Sequence, residues 1–391
     1  MQACLYSQRN QIMKILTLVD YYLPGFKGGG PIRTLANMVD WLGDEFAFII
    51  LTRDHDLGDD LPYKASGTWQ DIAGAQVRYL TPSELSLSQL AKHLNTCDYD
   101  VLYLNSFFST LSVKIMLLHY TRQIPRRPVI LAPRGEFNAG ALRLKAWKKR
   151  GYLLVTAILN LYQSVHWQAS SEQEKETIKQ VIGQGTRVHI APDMRPRLPG
   201  FTPDFDRYTT PTKVVFLGRV SPMKNLDYAL NVLGQVAHEV MFDIYGPIED
   251  AAYWSQCQRL IAGLPSHVHV THRGTLTPDD VIRTLAGYHL FFLPTRGENF
   301  GHVIWEALYA SCPVLISDQT PWNALGDAGW SLSLDDPSAF VDVIGQVAGM
   351  DSAEFARRSQ TAHDYARQTA VDDSVLQANR DLFHQVVQEV R

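Results

Sequence analysis

The chain has 391 residues, 46% hydrophobic and 19% charged, with a formal net charge of −4. That length is too great for one comfortable core, so two domains of about 200 residues are expected, and the mild acidity gives no reason to expect nucleic acid as a partner. No apolar run approaches the roughly 18 to 20 residues that span a bilayer, and MQACLYSQRNQ lacks the order of a signal peptide, so a cytoplasmic location is expected.

Met13 opens the first strand-like run, so residues 1–12 read as an upstream extension. In the first half the strand candidates are KILTLV (14–19), FAFIILT (46–52), QVRYL (76–80), VLYLN (101–105), PVILA (128–132), VHWQA (165–169) and RVHIA (187–191). Short β-branched runs separated by helical segments predict a parallel sheet covered on both faces, hence an α/β chain. The first strand runs into Gly28, Gly29 and Gly30, followed by a helix that Pro31 starts and that buries Ile32, Leu35, Ala36, Val39 and Leu42. The triplet is either a flexible turn or a loop whose bare backbone lets N–H groups approach an anionic ligand. Ser171 with Glu174 makes a capping box for a later helix.

The pattern lapses between 193 and 212, in DMRPRLPGFTPDFDRYTTPT, which reads as an interdomain linker. This divides the chain into 1–205, 206–365 and a helical tail at 366–391. Strands resume at KVVFLG (213–218), VMFDIYG (240–246), VHV (268–270), YHLFFLP (288–294) and PVLIS (313–317). After the first of these, Ser221 is expected to cap a helix beginning at Pro222. Arg219 precedes that cap and Lys224 lies in the first turn, where the helix dipole makes positive charge unfavourable. They are either solvated surface charges or the partners of an anion such as a diphosphate. After strand 288–294, Gly297 and Gly301 permit a tight turn, with Glu298 in the turn and Glu306 two turns further on. Two carboxylates that accept from hydroxyls suit a sugar and a ribose; otherwise they are a dipole-favoured and a solvated side chain. Two doubly wound domains leave a cleft at the carboxyl ends of their strands, and these motifs all follow strands.

In that order and separation, the glycine loop at 28–30, GRVSPMKN at 218–225 and Glu298 to Glu306 as E-x7-E resemble family 4 glycosyltransferases. These are retaining enzymes of the GT-B fold, with two Rossmann-like domains facing across a cleft, and the resemblance covers nearly the whole chain. It implies that Arg219 and Lys224 bind the donor diphosphate, Glu306 the ribose hydroxyls and Glu298 the donor sugar. Asn299, Phe300 and Gly301 would present amides to sugar and phosphate, Gly28, Gly29 and Gly30 would close over the diphosphate, and the last helix would return to the first domain. The implied donor is a nucleotide sugar, UDP-sugar first and GDP-sugar second. The implied acceptor is a glycan or a polyprenyl-diphosphate-linked saccharide, in capsule, O-antigen (lipopolysaccharide) or exopolysaccharide assembly.

One position departs from the family pattern: PRGEF follows PVILA where many relatives carry His, making Arg134 and Glu136 candidates for contact with acceptor or donor sugar. No cofactor or metal is expected, because Arg219 and Lys224 supply the charge that Mg²⁺ would bring. Among the D-x-D pairs, Asp98/Asp100 and Asp204/Asp206 are poorly placed, and Asp54/Asp56, with His55 between them, are candidates for the acceptor side. Cys4, Cys97, Cys257 and Cys312 lack metal-ligand spacing and read as packing thiols. The stretch LRLKAWKKRGYLL (142–154) mixes Arg143, Lys145, Lys148, Lys149 and Arg150 with Leu142, Leu144, Trp147 and Leu153, a pattern of either a membrane-surface helix or an ordinary cationic face. Two other functions fit the motifs: a GT-B nucleotide-sugar 2-epimerase and a silent nucleotide-sugar-binding subunit.

Overall fold

The computed structural model describes residues 12–143, 146–197, 200–369 and 373–389, so the extension at 1–11, with Cys4, lies outside the described residues. β1 (Met13–Leu18), β2 (Phe46–Arg53), β3 (Trp69–Ile72), β4 (Ala75–Leu80), β5 (Val101–Asn105), β6 (Val129–Ala132), β7 (His166–Ala169) and β8 (Arg187–Ile190) make one sheet. It has eight strands, ordered β3-β4-β2-β1-β5-β6-β7-β8. Only β3 against β4 is antiparallel. Central β1 pairs with β2 and β5, with Ile15 opposite Phe48 and Val101. Because both faces are covered, these strands read as nearly continuous apolar runs. The covering helices are α1 (Gly30–Leu42), α2 (Leu87–Thr96), α3 (Thr110–Tyr120), α4 (Ala139–Arg143), α5 (Ala146–Ile158) and α6 (Glu172–Ile182).

The second sheet contains β9 (Thr212–Leu217), β10 (Val240–Tyr245), β11 (Val268–Gly274), β12 (Leu290–Leu293), β13 (Val314–Ser317) and β14 (Gly329–Leu332). Its order is β11-β10-β9-β12-β13-β14, with every pairing parallel. Its helices are α7 (Leu226–Leu233), α8 (Ala251–Ala262), α9 (Val281–Leu285), α10 (His302–Tyr309) and α11 (Pro337–Ala348). The chain leaves β9 toward β10 on one side and later returns to place β12 on the other. That reversal opens a crevice at the carboxyl ends of β9 and β12. The first sheet reverses likewise between β1 and β5.

α12 (Ser352–Gln368) packs on α10, whereas α13 (Asp373–Gln388) crosses to the first domain. There Phe383 is fully buried against Phe46, Phe48 and Tyr103. Arg380 forks onto Glu45, and Asn379 donates to the Pro192 carbonyl at 3.0 Å. Losing one such buried ring costs about 3–5 kcal/mol, enough to make this crossing an anchor.

Local expectations needed three corrections. Ser221 and Pro222 do not start a helix: α7 begins at Leu226, preceded by Asn225, which takes the left-handed region (φ 61°, ψ 40°) and makes no side-chain cap. Asn225 is held there by donating to the Pro294 carbonyl at 2.9 Å and accepting from Arg296 Nε at 2.9 Å. Glu306 sits one turn inside α10, not two, because that helix starts only at His302. Ser171 does cap α6, accepting from Glu174 N at 3.1 Å, but the Glu174 carboxylate turns to Ser170 N and Gly135 N instead of closing the box.

The stretch 142–154 also differs. Leu142 and Leu153 pack against the first core, Leu144 and Lys145 lie outside the described residues, and Lys149 turns inward, donating to the Ala141 carbonyl at 2.7 Å. The exposed apolar stripe runs instead through Trp147, Leu154, Val155, Ile158 and Leu159. No helix among the described residues is long and apolar enough to cross a membrane.

Candidate active site

A cleft of about 1110 Å³ separates the two sheets and is lined from both domains, roomy enough for two substrates. The first domain contributes the loop after β1. Gly29 takes φ 73° and ψ −132° just ahead of α1, a backbone state open to glycine and strained for other residues. The loop is braced from below: Asp56 accepts from Phe26 N at 2.8 Å and from Lys27 N at 3.0 Å. Asp54 accepts from Ser66 Oγ at 2.6 Å and from His55 Nδ1 at 2.9 Å. Both aspartates are buried, so this pair braces loops and presents no carboxylate to the cleft.

On the second domain, Arg219 follows β9 and meets Glu249 at 2.8 Å, both partly exposed. Lys224 reaches across to Glu298, which follows β12, and the two form an ion pair. Four residues singled out by sequence (Arg219, Lys224, Glu298 and Glu306) thus line one wall of one cleft, opposite Gly28, Gly29 and Gly30. Gly301 is required where α10 starts: its φ is 77°, and a Cβ there would lie 2.8 Å from Ile304 Cδ1 and 2.9 Å from Glu298 Cγ. Phe300 packs against His302 and Trp322, and the Asn299 side chain sits among Ser170, Glu174 and Asp193 of the first domain and linker.

Glu306 is 7% exposed, and its partner comes from the other domain: Arg33 Nη2 donates to Glu306 Oε1 at 2.9 Å. Burial pushes the Glu306 carboxyl up from its ordinary value, while the Arg33 guanidinium pulls it back. Beside it Thr34 Oγ1 meets His302 Nε2 at 2.9 Å. Burial, then the charges of Arg33, Arg134 and Arg195, press His302 down to about 3, so it is a neutral imidazole. Sequence reading missed Arg33 and His302. Arg33 lies in the first turn of α1, the kind of position expected from sequence for Lys224, which in the structure precedes α7.

Arg134 and Glu136 line the cleft but are otherwise engaged. The buried Arg134 guanidinium donates to Asn105 Oδ1 at 2.8 Å, to Tyr103 Oη at 2.5 Å and to Asp193. Burial opposes its charge, but Tyr103, Asp193 and Glu174 outweigh burial and hold it above its ordinary value. Glu136 accepts from Ser106 Oγ at 2.6 Å and from the Phe107 and Phe108 amides at 2.5 and 3.2 Å. Burial nonetheless pushes its carboxyl up. The two residues hold the β5 and β6 loops in shape.

Residues 211–349, most of the second domain, match the family described as "Glycosyl transferases group 1". This is a glycosyltransferase domain. The whole chain is similar in fold to the HepE protein of Anabaena, solved with UDP and glucose, at 17% identity and TM-score 0.70, over 96% of this chain and 100% of that one. A sucrose-phosphate synthase from Thermosynechococcus elongatus is similar at 14% identity and TM-score 0.74, with the same coverage. A glycosyltransferase from Rickettsia africae follows at 13% identity and TM-score 0.66, over 96% of this chain and 98% of that one. A search of curated sequences returned none that match. The two facing sheets and these neighbours make the fold GT-B, with the glycosyltransferase domain carrying Arg219, Lys224, Glu298 and Glu306.

Proposed function

We propose that the chain transfers a glycosyl group from a nucleoside diphosphate sugar, UDP-sugar first, to a hydroxyl of a glycan or lipid-linked acceptor, with retention. One observation carries this reading: two cations and two carboxylates converge on the cleft wall at the β9 and β12 ends, facing a bare glycine loop. The diphosphate lies between that loop and Arg219 and Lys224. The ribose hydroxyls donate to Glu306, whose Oε1 stays on Arg33, and the sugar lies toward Glu298 and the α10 start. The base lies on the other flank of β9, against Leu276, Pro278 and Val281. A neighbour solved with UDP-glucose supports UDP as the first base to try.

In the reaction the anomeric carbon–oxygen bond to the diphosphate breaks and a bond to the acceptor oxygen forms on the same face. The acceptor proton passes to the departing phosphate. Negative charge grows on that phosphate as the bond lengthens, and Arg219, Lys224 and the amides at the α10 start stabilise it, each preorganised donor being worth about 3–4 kcal/mol. Lys224, paired with Glu298, turns to the phosphate and leaves Glu298 free for a sugar hydroxyl. No protein nucleophile and no metal enters this scheme.

Cell-surface polysaccharide assembly at the inner membrane face is the setting we favour. The stripe Trp147, Leu154, Val155, Ile158 and Leu159, flanked by exposed Lys148 and Arg150, suits an anionic bilayer surface. Salt-sensitive binding to phosphatidylglycerol vesicles, lost in Trp147→Ser with Ile158→Ser, is expected; no binding at low salt rejects the setting.

The test of the activity is thermal stabilisation by UDP, GDP, ADP and TDP on the wild type and on Lys224→Ala. A nucleotide at 100 times its dissociation constant stabilises by about 2.7 kcal/mol. One nucleotide should stand out and lose its effect in the variant. Stabilisation by none of them rejects the donor site. Release of free sugar without acceptor favours a 2-epimerase, and binding without turnover a silent subunit.

A further inference from the structure

Away from the cleft, at the β8 edge of the first sheet, three metal-ligating side chains converge. His166 on β7 and His189 on β8 share a sheet face, and His166 Nδ1 lies 3.1 Å from His189 Nε2. Glu389, directly after α13, brings Oε2 to 3.9 Å from His166 Nδ1, and all three ligand atoms fall within 4.8 Å of one another. Two nitrogens bound to one tetrahedral zinc at 2.0–2.1 Å stand about 3.3 Å apart, so the imidazoles are already near ligand spacing. The carboxylate needs to close by about half an ångström toward His166 and by up to about 1.5 Å toward His189, which rotation of the half-exposed Glu389 side chain can supply.

We propose that His166, His189 and Glu389 bind a zinc-class divalent ion that staples the end of α13 to the first sheet. Imidazole pairs with a carboxylate are the donor set such ions prefer. His166 is 1% exposed and held by its strand, so one ligand is preorganised. Gln385 on α13 hydrogen-bonds His189, and it or a water completes the fourth position. Arg187, opposite His166 in the sheet, shares Glu389 at 3.7 Å, but its side chain is 59% exposed and free to swing into solvent as the carboxylate turns to the ion. Since α13 is the segment by which the chain returns to its first domain, the ion would tighten the tie between the two halves.

The test uses the untagged full chain, stripped with chelator and titrated with Zn²⁺ by calorimetry, and with Co²⁺ as a visible-absorption probe. Expected are one equivalent of zinc, a tetrahedral cobalt band, a higher Tm with zinc, and at least tenfold weaker binding in His189→Gln and in Glu389→Gln. Both substitutions sit at partly exposed positions and retain hydrogen-bonding capacity, and circular dichroism checks their folding. Wild-type binding no tighter than that of the two variants, or no binding, overturns the proposal. None of these readouts involves nucleotide-sugar turnover.

Discussion

The two walls of the cleft treat their charges in opposite ways. On the first-domain wall the buried Arg134 side chain and the half-buried Glu136 are saturated by Asn105, Tyr103, Asp193, Ser106 and two backbone amides. On the second-domain wall Arg219 and Lys224 each hold a single carboxylate partner, Glu249 and Glu298, that itself lines the cleft. A ligand can take over a one-partner charge at the cost of one ion pair, whereas displacing Arg134 would strand several buried groups. By that measure Arg134 and Glu136 are scaffold, whereas the Arg219 and Lys224 pairs are open to exchange.

The largest expected effect tests the scaffold. Arg134→Ala should lose about 3–5 kcal/mol of stability, because Asp193 is left buried and unpaired; a urea midpoint within error of wild type would erase the distinction between the walls. Next, Lys224→Ala should lower kcat/KM about 10²- to 10³-fold while Tm stays nearly constant. Unfolding of that variant at low urea would make Lys224 scaffold too.

Acid should act on the second domain through His289, whose Nδ1 accepts from Lys213 N at 3.0 Å and which burial pushes down to about 4. The unfolded state takes up its proton near pH 6.5 and the folded state resists, so this contribution is full above pH 6.5 and is lost as pH falls toward 4. The slope is about 1.4 kcal/mol per pH unit for one group. Stability curves of His289→Gln should be flatter across that window; an unchanged slope removes His289 as the cause.

The bridge between the walls is Arg33 on Glu306. Arg33→Ala should raise donor KM about tenfold, on the order of 1.4 kcal/mol, with kcat little changed, because the buried carboxylate loses the charge that favours its ionised, hydroxyl-accepting form. Donor KM in the variant should also climb at a higher pH than in wild type as the solution is acidified. A KM that does not respond confines Arg33 to joining the domains. The smallest effect is at Glu249: Glu249→Ala should change stability by less than about 1 kcal/mol, as for exposed pairs in general, and should slightly tighten nucleotide binding by freeing Arg219. Weaker binding would show that Glu249 positions Arg219.

Most strands were legible because a parallel strand covered on both faces is a bare apolar run bounded by turn residues. The two missed are edge strands: β3 is WQDI and mostly exposed, and β14 is GWSL, so neither carries the run that burial imposes. The α7 start misled for a different reason. Ser221-Pro222 is a sound local cap signal, but Asn225 has long-range partners in Pro294 and Arg296, and tertiary bonds outweighed a local preference worth about 1 kcal/mol.

By itself the sequence determined the α/β alternation, the bare glycine loop and the placement of Arg219, Lys224, Glu298 and Glu306 after strands, since periodicity and turn chemistry act over a few residues. Only the tertiary structure decided that Glu306 meets Arg33, 273 positions away, that Arg134 and Glu136 are consumed by their own loops, and that α13 ends beside His166 and His189. Pairings of that kind depend on how the two sheets and the returning helix are set against one another, and no local pattern encodes which distant partner saturates a charge.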